Sequence, residues 1–457
     1  MGSDRVPKSK LARGSKIGAV AAGQMLRAGR TRMSMLGRSE EARARLSEES
    51  TMRAAEQLVT TLASMRGVAM KIGQMMSILD IDLVPEDHRA LFQAKLAALQ
   101  DSAPRFEFSA MRRVLEDDYG QPLEQVFAEF DPRAFAAASI GQVYRARLHD
   151  GRDVAVKVQY PGIEAAVRSD LKLLTMFQKV WTPVLPALGP AVLNELSAGI
   201  ELELDYPREA ATQGWVAKRY RDHPFIHVPE PVAELTTAHV LVTEFVDGAI
   251  GFDDIRKLPA DTRNRIGEIM YRFYVGSLYR YHDFCGDPHP GNIKLRPDGR
   301  VSFLDFGLFN RMAAKHVNFE LKCLRAASEE RGQDLYDMMV RRGIIDAESG
   351  VTPDECLEYV LAASEWCLVD QDLEITPEIA SGAFLLAIDG RSAEFTGMKH
   401  QTLPPEHLFS RRTDFYTFGV LGQLHARNNW HRIAREWIYG EDPVTELGKL
   451  EAEWRHR

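Results

Sequence analysis

Cysteine is scarce, with only Cys285, Cys323, Cys356 and Cys367 in 457 residues and no paired spacing among them. That argues against a disulfide framework or a cysteine-ligated zinc site and fits a reducing compartment. Long apolar runs are missing too: nothing approaches the roughly 18 uninterrupted apolar residues of a spanning helix. The stretch Ile17–Leu26 is apolar and small, but too short to cross a bilayer. Basic residues continue after it and no good cleavage site follows, so a secretory signal is not expected. The Met-Gly start has no Ser or Thr at position 6, which removes the myristoylation pattern. There is no internal repeat and no low-complexity tract.

What is present is ordinary for a soluble globular chain, with 45% apolar and 27% charged residues. The length exceeds the usual prior for one compact domain. The net charge of -8 is unevenly spread. Residues 1–38 carry nine Lys or Arg against the single acid Asp4, about +8, which leaves the remainder at about -16. A basic tail on an acidic body suggests an anionic partner, either membrane phospholipid or nucleic acid.

Five parts are expected. Residues 1–50 form a basic tail. Residues 51–125 read as helices, since Leu58, Leu62, Met65, Val68, Ile72 and Met75 recur at the three- and four-residue steps of one helical face. Residues 126–248 mix strands and helix: Val143–Leu148 and Asp153–Val158 flank an Asp-Gly hairpin signal, and Val240–Phe245 is another β-like run. Residues 249–395 read mainly as helices, interrupted by the strand Val301–Leu304, and residues 396–457 as a helical appendix.

The chemistry-bearing pattern begins at Asp287-Pro288-His289-Pro290-Gly291-Asn292, followed by Asp305-Phe306-Gly307. Phosphoryl transfer needs hard oxygen ligands for metal ions that bridge the phosphates. A catalytic-loop Asp, an Asn five residues later and the Asp of a D-F-G supply them in kinases. Asp287, Asn292 and Asp305 have that order, with a strand leading into Asp305. Upstream, Val154-Ala155-Val156-Lys157 matches the strand whose Lys grips phosphate oxygens, and Glu209 is the best partner for that Lys. Asp287, Lys157 and Glu209 are therefore the catalytic candidates, and Asn292 and Asp305 the metal candidates.

The preceding loop, normally G-x-G-x-x-G-x-V, reads Ala136-Ala137-Ala138-Ser139-Ile140-Gly141-Gln142-Val143, with Ala at the first two Gly positions. Ala136, Ala137, Ala138, Ser139, Gly141 and Val143, with Ala155, Lys157 and Glu244, are the nucleotide-binding candidates. Singly, each element has a plainer reading: a turn glycine, a capping pair, a snorkelling lysine. Their occurrence together, in order, selects an α+β, two-lobed protein-kinase-like fold. No A-P-E follows the D-F-G, so a peptide-docking activation segment is not visible.

The helix segment contains Lys71-Ile72-Gly73-Gln74, and Glu203-Leu204-Asp205 lies ahead of Glu209. With the Ala-rich loop and D-P-H-P-G-N, these motifs make the chain resemble the AarF/UbiB/ADCK family of atypical kinases of ubiquinone biosynthesis, over about residues 60–320. The resemblance implies an N-terminal helical extension over the active site, with Lys71, Gly73 and Gln74 regulatory and Lys71 meeting Glu203 or Asp205. It implies ATP and Mg2+ as cofactors, and hydrolysis or transfer of phosphate with little ordinary protein kinase activity. It also implies partners among anionic membrane lipid and quinone-biosynthesis proteins or intermediates rather than nucleic acid. The expected location is cytoplasmic and peripheral on the inner membrane face, with Lys16, Arg27, Arg30 and Arg32 flanking the apolar stretch. The family often has His where Cys285 stands, and His289 is expected to structure its loop. A small-molecule phosphotransferase of the aminoglycoside or choline kinase type, and a non-catalytic ATP-gated scaffold, are the alternatives.

Overall fold

The computed structural model describes residues 106–181, 190–388 and 404–457. Two compact units account for them: one takes the residues up to Ala210 together with Pro231–Phe245, the other Ala211–Glu230 and Val246–Arg457. Residues 211–230 thus pack with the second unit, not with the segment in which the sequence places them. The basic tail and the segment bearing Lys71 lie outside the described residues.

The first unit is built on an antiparallel sheet of β1 (Glu129–Phe130), β2 (Ala136–Ala137), β3 (Gly141–Arg147), β4 (Asp153–Gln159) and β5 (Val240–Glu244). Its order is β1-β3-β4-β5, with β2 also pairing β3. Gly151 turns the β3–β4 hairpin at φ +90°, a conformation that glycine adopts without a steric penalty. On one face Tyr144, Val154, Val156 and Val158 are buried, in the same core as Met111 and Leu115 of the helix Phe108–Tyr119. Burying one such valine is worth about 1.5–3 kcal/mol. A one-residue slip would turn all three outward, so the hydrophobic pattern fixes the register. The same alternation places Val143, Ala155 and Lys157 on the opposite face, with Val143 directly across from Lys157.

The second unit is mostly helical, with short strands. β6 (Asp283–Cys285), β7 (Ile293–Leu295), β8 (Val301–Phe303) and β9 (Phe309–Arg311) have three residues each. β7 and β8 pair antiparallel, as do β6 and β9. The sequence shows only β8. Three residues are too few to display a period of two, and the other strands exist because their partners are brought alongside. The core is aromatic: Tyr271, Phe273, Tyr274, Phe303, Phe306 and Trp430 are each at most 2% exposed. Phe273 stacks on Phe303 at 3.8 Å between ring centroids.

The helix Ala260–Tyr271 runs into a π-helical turn, Arg272–Gly276. Arg272 has no exposed side-chain surface and reaches Glu268 at 2.8 Å, Glu436 at 2.6 Å and Glu451 at 2.9 Å. Arg280 adds a second contact to Glu436. This ion cluster fastens the C-terminal helices Trp430–Ile438 and Glu446–Arg455 to the π turn. No helix among the described residues is long and apolar enough to cross a membrane.

Candidate active site

In the first unit, Lys157 sits in the middle of β4 with its Nζ 3.2 and 3.3 Å from the two carboxylate oxygens of Glu209. Glu209 is 2% exposed and Lys157 18%, so the pair is largely withdrawn from water. Glu209 occupies the first turn of the helix Tyr206–Arg219, where the helix dipole favours a carboxylate. Asp205 opens that helix: its Oδ1 accepts the Arg208 N–H at 3.0 Å, an N-terminal cap. The Lys157 ammonium also stands over the Tyr206 ring, 5.1 Å from its centroid.

The Ala-rich loop is anchored at both ends. Ala136 pairs with Val143 across β2 and β3, and the Ala138 N–H donates to the Gly141 carbonyl at 2.8 Å. The Ser139 hydroxyl donates to Glu203 at 3.1 Å, so the first acid of the E-x-D motif grips this loop. Gly141 is required by crowding: a Cβ there would lie 2.2 Å from the Val158 carbonyl oxygen. Glu244 ends β5, and the next N–H, of Phe245, donates to the Asp153 carbonyl at 3.1 Å. Whether Lys71 meets Glu203 or Asp205 lies outside the described residues, as do Gly73 and Gln74.

In the second unit, Asp287 follows β6 and is 8% exposed. The His289 Nδ1 accepts the Gly291 N–H at 3.0 Å and so caps the short turn Pro290–Asn292, a loop-structuring role. Asn292 immediately precedes β7, whose first residue, Ile293, pairs with Phe303. The Leu304 N–H donates to the Asn292 carbonyl at 2.8 Å, and Asp305 is next in the chain. Asn292 and Asp305 are therefore presented from the same end of one strand pair. Asp305 has φ +66°, a left-handed conformation rare for residues other than glycine but tolerated by Asp. Its Oδ1 accepts the Gly307 N–H at 3.2 Å. Burial, then the nearby Cys285, Asp287 and Asp305, hold the Tyr274 hydroxyl well above its usual range.

Several contributors carry no local sequence signal. The Cys285 carbonyl accepts the Thr413 hydroxyl at 2.8 Å, so a side chain 128 residues away supports the strand end that leads into Asp287. Tyr206 under Lys157 and Tyr274 beside the two carboxylates are likewise unmarked in the sequence.

Among the described residues, no group of three or more His, Cys, Asp or Glu side chains is arranged to hold a metal ion. Magnesium does not need one: it takes one or two carboxylates and completes its shell with phosphate oxygens and water. The hard oxygens of Asp305 and Asn292 fit that demand.

A strand lysine clasped by a helix glutamate, and an Asp-Phe-Gly turn whose preceding residue hydrogen-bonds the Asn of an Asp…Asn loop, define a protein-kinase-like α+β chain. More narrowly, the chain belongs to the ABC1 atypical kinase-like family, whose domain matches residues 98–339. It is 30% identical to the mitochondrial atypical kinase COQ8B of Rattus norvegicus over 414 residues, covering 88% of this chain and 75% of that protein. It is 27% identical to the mitochondrial atypical kinase coq-8 of Caenorhabditis elegans over 85% of the chain, and 32% identical to AarF domain-containing protein kinase 1 of Mus musculus over 56%. The chain spans about half the length of those two relatives, 52% and 50%. A solved structure titled as the Rv3197–erythromycin complex of Mycobacterium tuberculosis superposes with a TM-score of 0.61 at 30% identity, covering 86% of this chain and 98% of that one.

Proposed function

We propose that this chain binds ATP with Mg2+ and hydrolyses it, or transfers its terminal phosphoryl group to an unknown acceptor, in support of quinone lipid biosynthesis. The carrying observation is the Lys157–Glu209 pair, a lysine held at 3.2 Å by a nearly buried carboxylate. Lys157 neutralises phosphate oxygens, and Glu209 keeps its ammonium in place. Asn292 and Asp305 hold the metal, which when bound neutralises charge on the triphosphate. Asp287 stands where a catalytic base accepts a proton or orients water. The face bearing Val143 and Ala155 receives the base and sugar, with Glu244 at the strand end. Ala136 and Ala138 restrict the loop relative to glycine and limit how closely the triphosphate approaches the backbone.

Relatives named as atypical kinases COQ8B and coq-8 support the assignment to quinone metabolism. The basic tail suits an anionic lipid surface, which supports a location at the inner face of the membrane.

The test is ATP hydrolysis and Mg-ATP-induced thermal stabilisation, with and without anionic liposomes and a soluble phenol, on wild type and Asp305→Asn. Wild type should respond to Mg-ATP, and Asp305→Asn, which removes the ligand charge, should lose the magnesium-dependent part. Equal Mg-ATP affinity in both chains would remove Asp305 from the metal site. Transfer of phosphate to an added aminoglycoside or choline, in place of hydrolysis, would replace this reading with a small-molecule phosphotransferase.

A further inference from the structure

Asp283 lies four residues before Asp287 and has no exposed side-chain surface. A buried carboxylate is costly unless it is paired. Here it has two cations: Arg219 contacts its Oδ2, and the Arg311 Nε donates to its Oδ1 at 3.0 Å. Both guanidinium groups sit over the Trp215 ring, at 4.0 Å and 4.6 Å from its centroid. Asp283 and Arg311 are also direct cross-strand partners in the β6–β9 ladder. β6 leads into Asp287, and β9 begins four residues after Asp305. One carboxylate thus joins the two chain segments that carry the acidic site residues.

Two arginines over a tryptophan, converging on a single anion, form a site for an oxyanion. Many kinases order the chain after their D-F-G only when a phosphoryl group, added later, pairs with arginines. This chain has no A-P-E, and a carboxylate of its own fills the arginine site. We propose that Asp283 is a built-in counter-anion that positions Asp287 and Asp305 with no covalent switch. The inference rests on the phosphate chemistry proposed above.

The experiment titrates Mg-ATP by thermal shift and by hydrolysis in wild type and Asp283→Ala, each with sodium formate or with sodium chloride at equal ionic strength. Asp283→Ala should weaken Mg-ATP binding on the order of tenfold, as expected for an energetically coupled site. Formate, a small carboxylate able to enter the vacated position, should restore most of that loss, while chloride should not, and wild type should ignore both. Full affinity in Asp283→Ala overturns the proposal. So does a loss that formate does not relieve, or formate that raises the melting temperature without restoring affinity, since either describes a merely structural ion pair. If Asp283→Ala shows no cooperative melting, Arg311→Gln takes its place. The Arg311 side chain is 63% exposed and Arg219 still holds Asp283, so this variant keeps the fold. It should lose affinity in the same direction, and unchanged affinity overturns the proposal. A wild-type chain with no Mg-ATP response would overturn the ATP reading and the positioning role together. A responding wild type matched by Asp283→Ala overturns the positioning role alone.

Discussion

Replacing Arg272 with methionine removes the guanidinium that joins Glu268, Glu436 and Glu451 while keeping an unbranched side chain in its volume. The Arg272 Nη2 also donates to the Thr445 hydroxyl at 2.9 Å, so four partners lose a donor together. Burial works against the Arg272 charge, but Glu436, Glu268 and Glu451 outweigh it and raise its pKa. Breaking a buried pair by removing one partner costs about 3–5 kcal/mol, because the opposite charge is left uncompensated. A unit of this size loses roughly 2–4 °C of melting temperature per kcal/mol, so a fall of roughly 6–20 °C is expected. Trp215, Trp366, Trp430, Trp437 and Trp454 all lie in the second unit, so tryptophan fluorescence reports this transition.

A shift under about 2 °C at neutral pH would refute the reasoning.

Gly141→Ala forces a Cβ to within 2.2 Å of the Val158 carbonyl oxygen, so the hairpin must move. A loss of about 1–3 kcal/mol is expected, together with a weaker Mg-ATP response; wild-type melting and binding would contradict it. His223 is buried and its pKa is pushed down to about 3, first by burial and then by Arg272 and Arg280. Its unprotonated Nδ1 accepts the Ile226 N–H at 3.0 Å. The folded state therefore resists protonation, and stability from this group falls as pH drops from about 6.5 towards about 3. His223→Asn, which keeps an acceptor but does not titrate, should flatten the acid limb of an unfolding-versus-pH curve, and an unchanged slope counts against this assignment.

The hairpin of β3 and β4 was legible because strict alternation and an Asp-Gly turn act locally. The Lys157 and Glu209 positions followed from motif order, and the structure places them 3.2 Å apart. β6, β7 and β9 were not legible, since three residues give no period and tertiary pairing alone makes them strands. The Asp283 site draws on residues 215, 219, 283 and 311, and the Arg272 cluster on residues 268 to 451. Charge pairs that distant leave no spacing to read. Thr413 took a supporting role through folding, where the sequence showed only an unexpected Cys285.

Asp305 occupies its turn in a backbone shape that, apart from glycine, asparagine and aspartate enter most readily. Shape and charge are therefore separable at this position. Exchanging Asp305 for asparagine removes the charge and keeps the turn intact, giving a well-folded chain that differs by one amide. A change to glutamate retains the charge but takes a residue poorly suited to the turn, so drift here loses the charge more easily than it moves it.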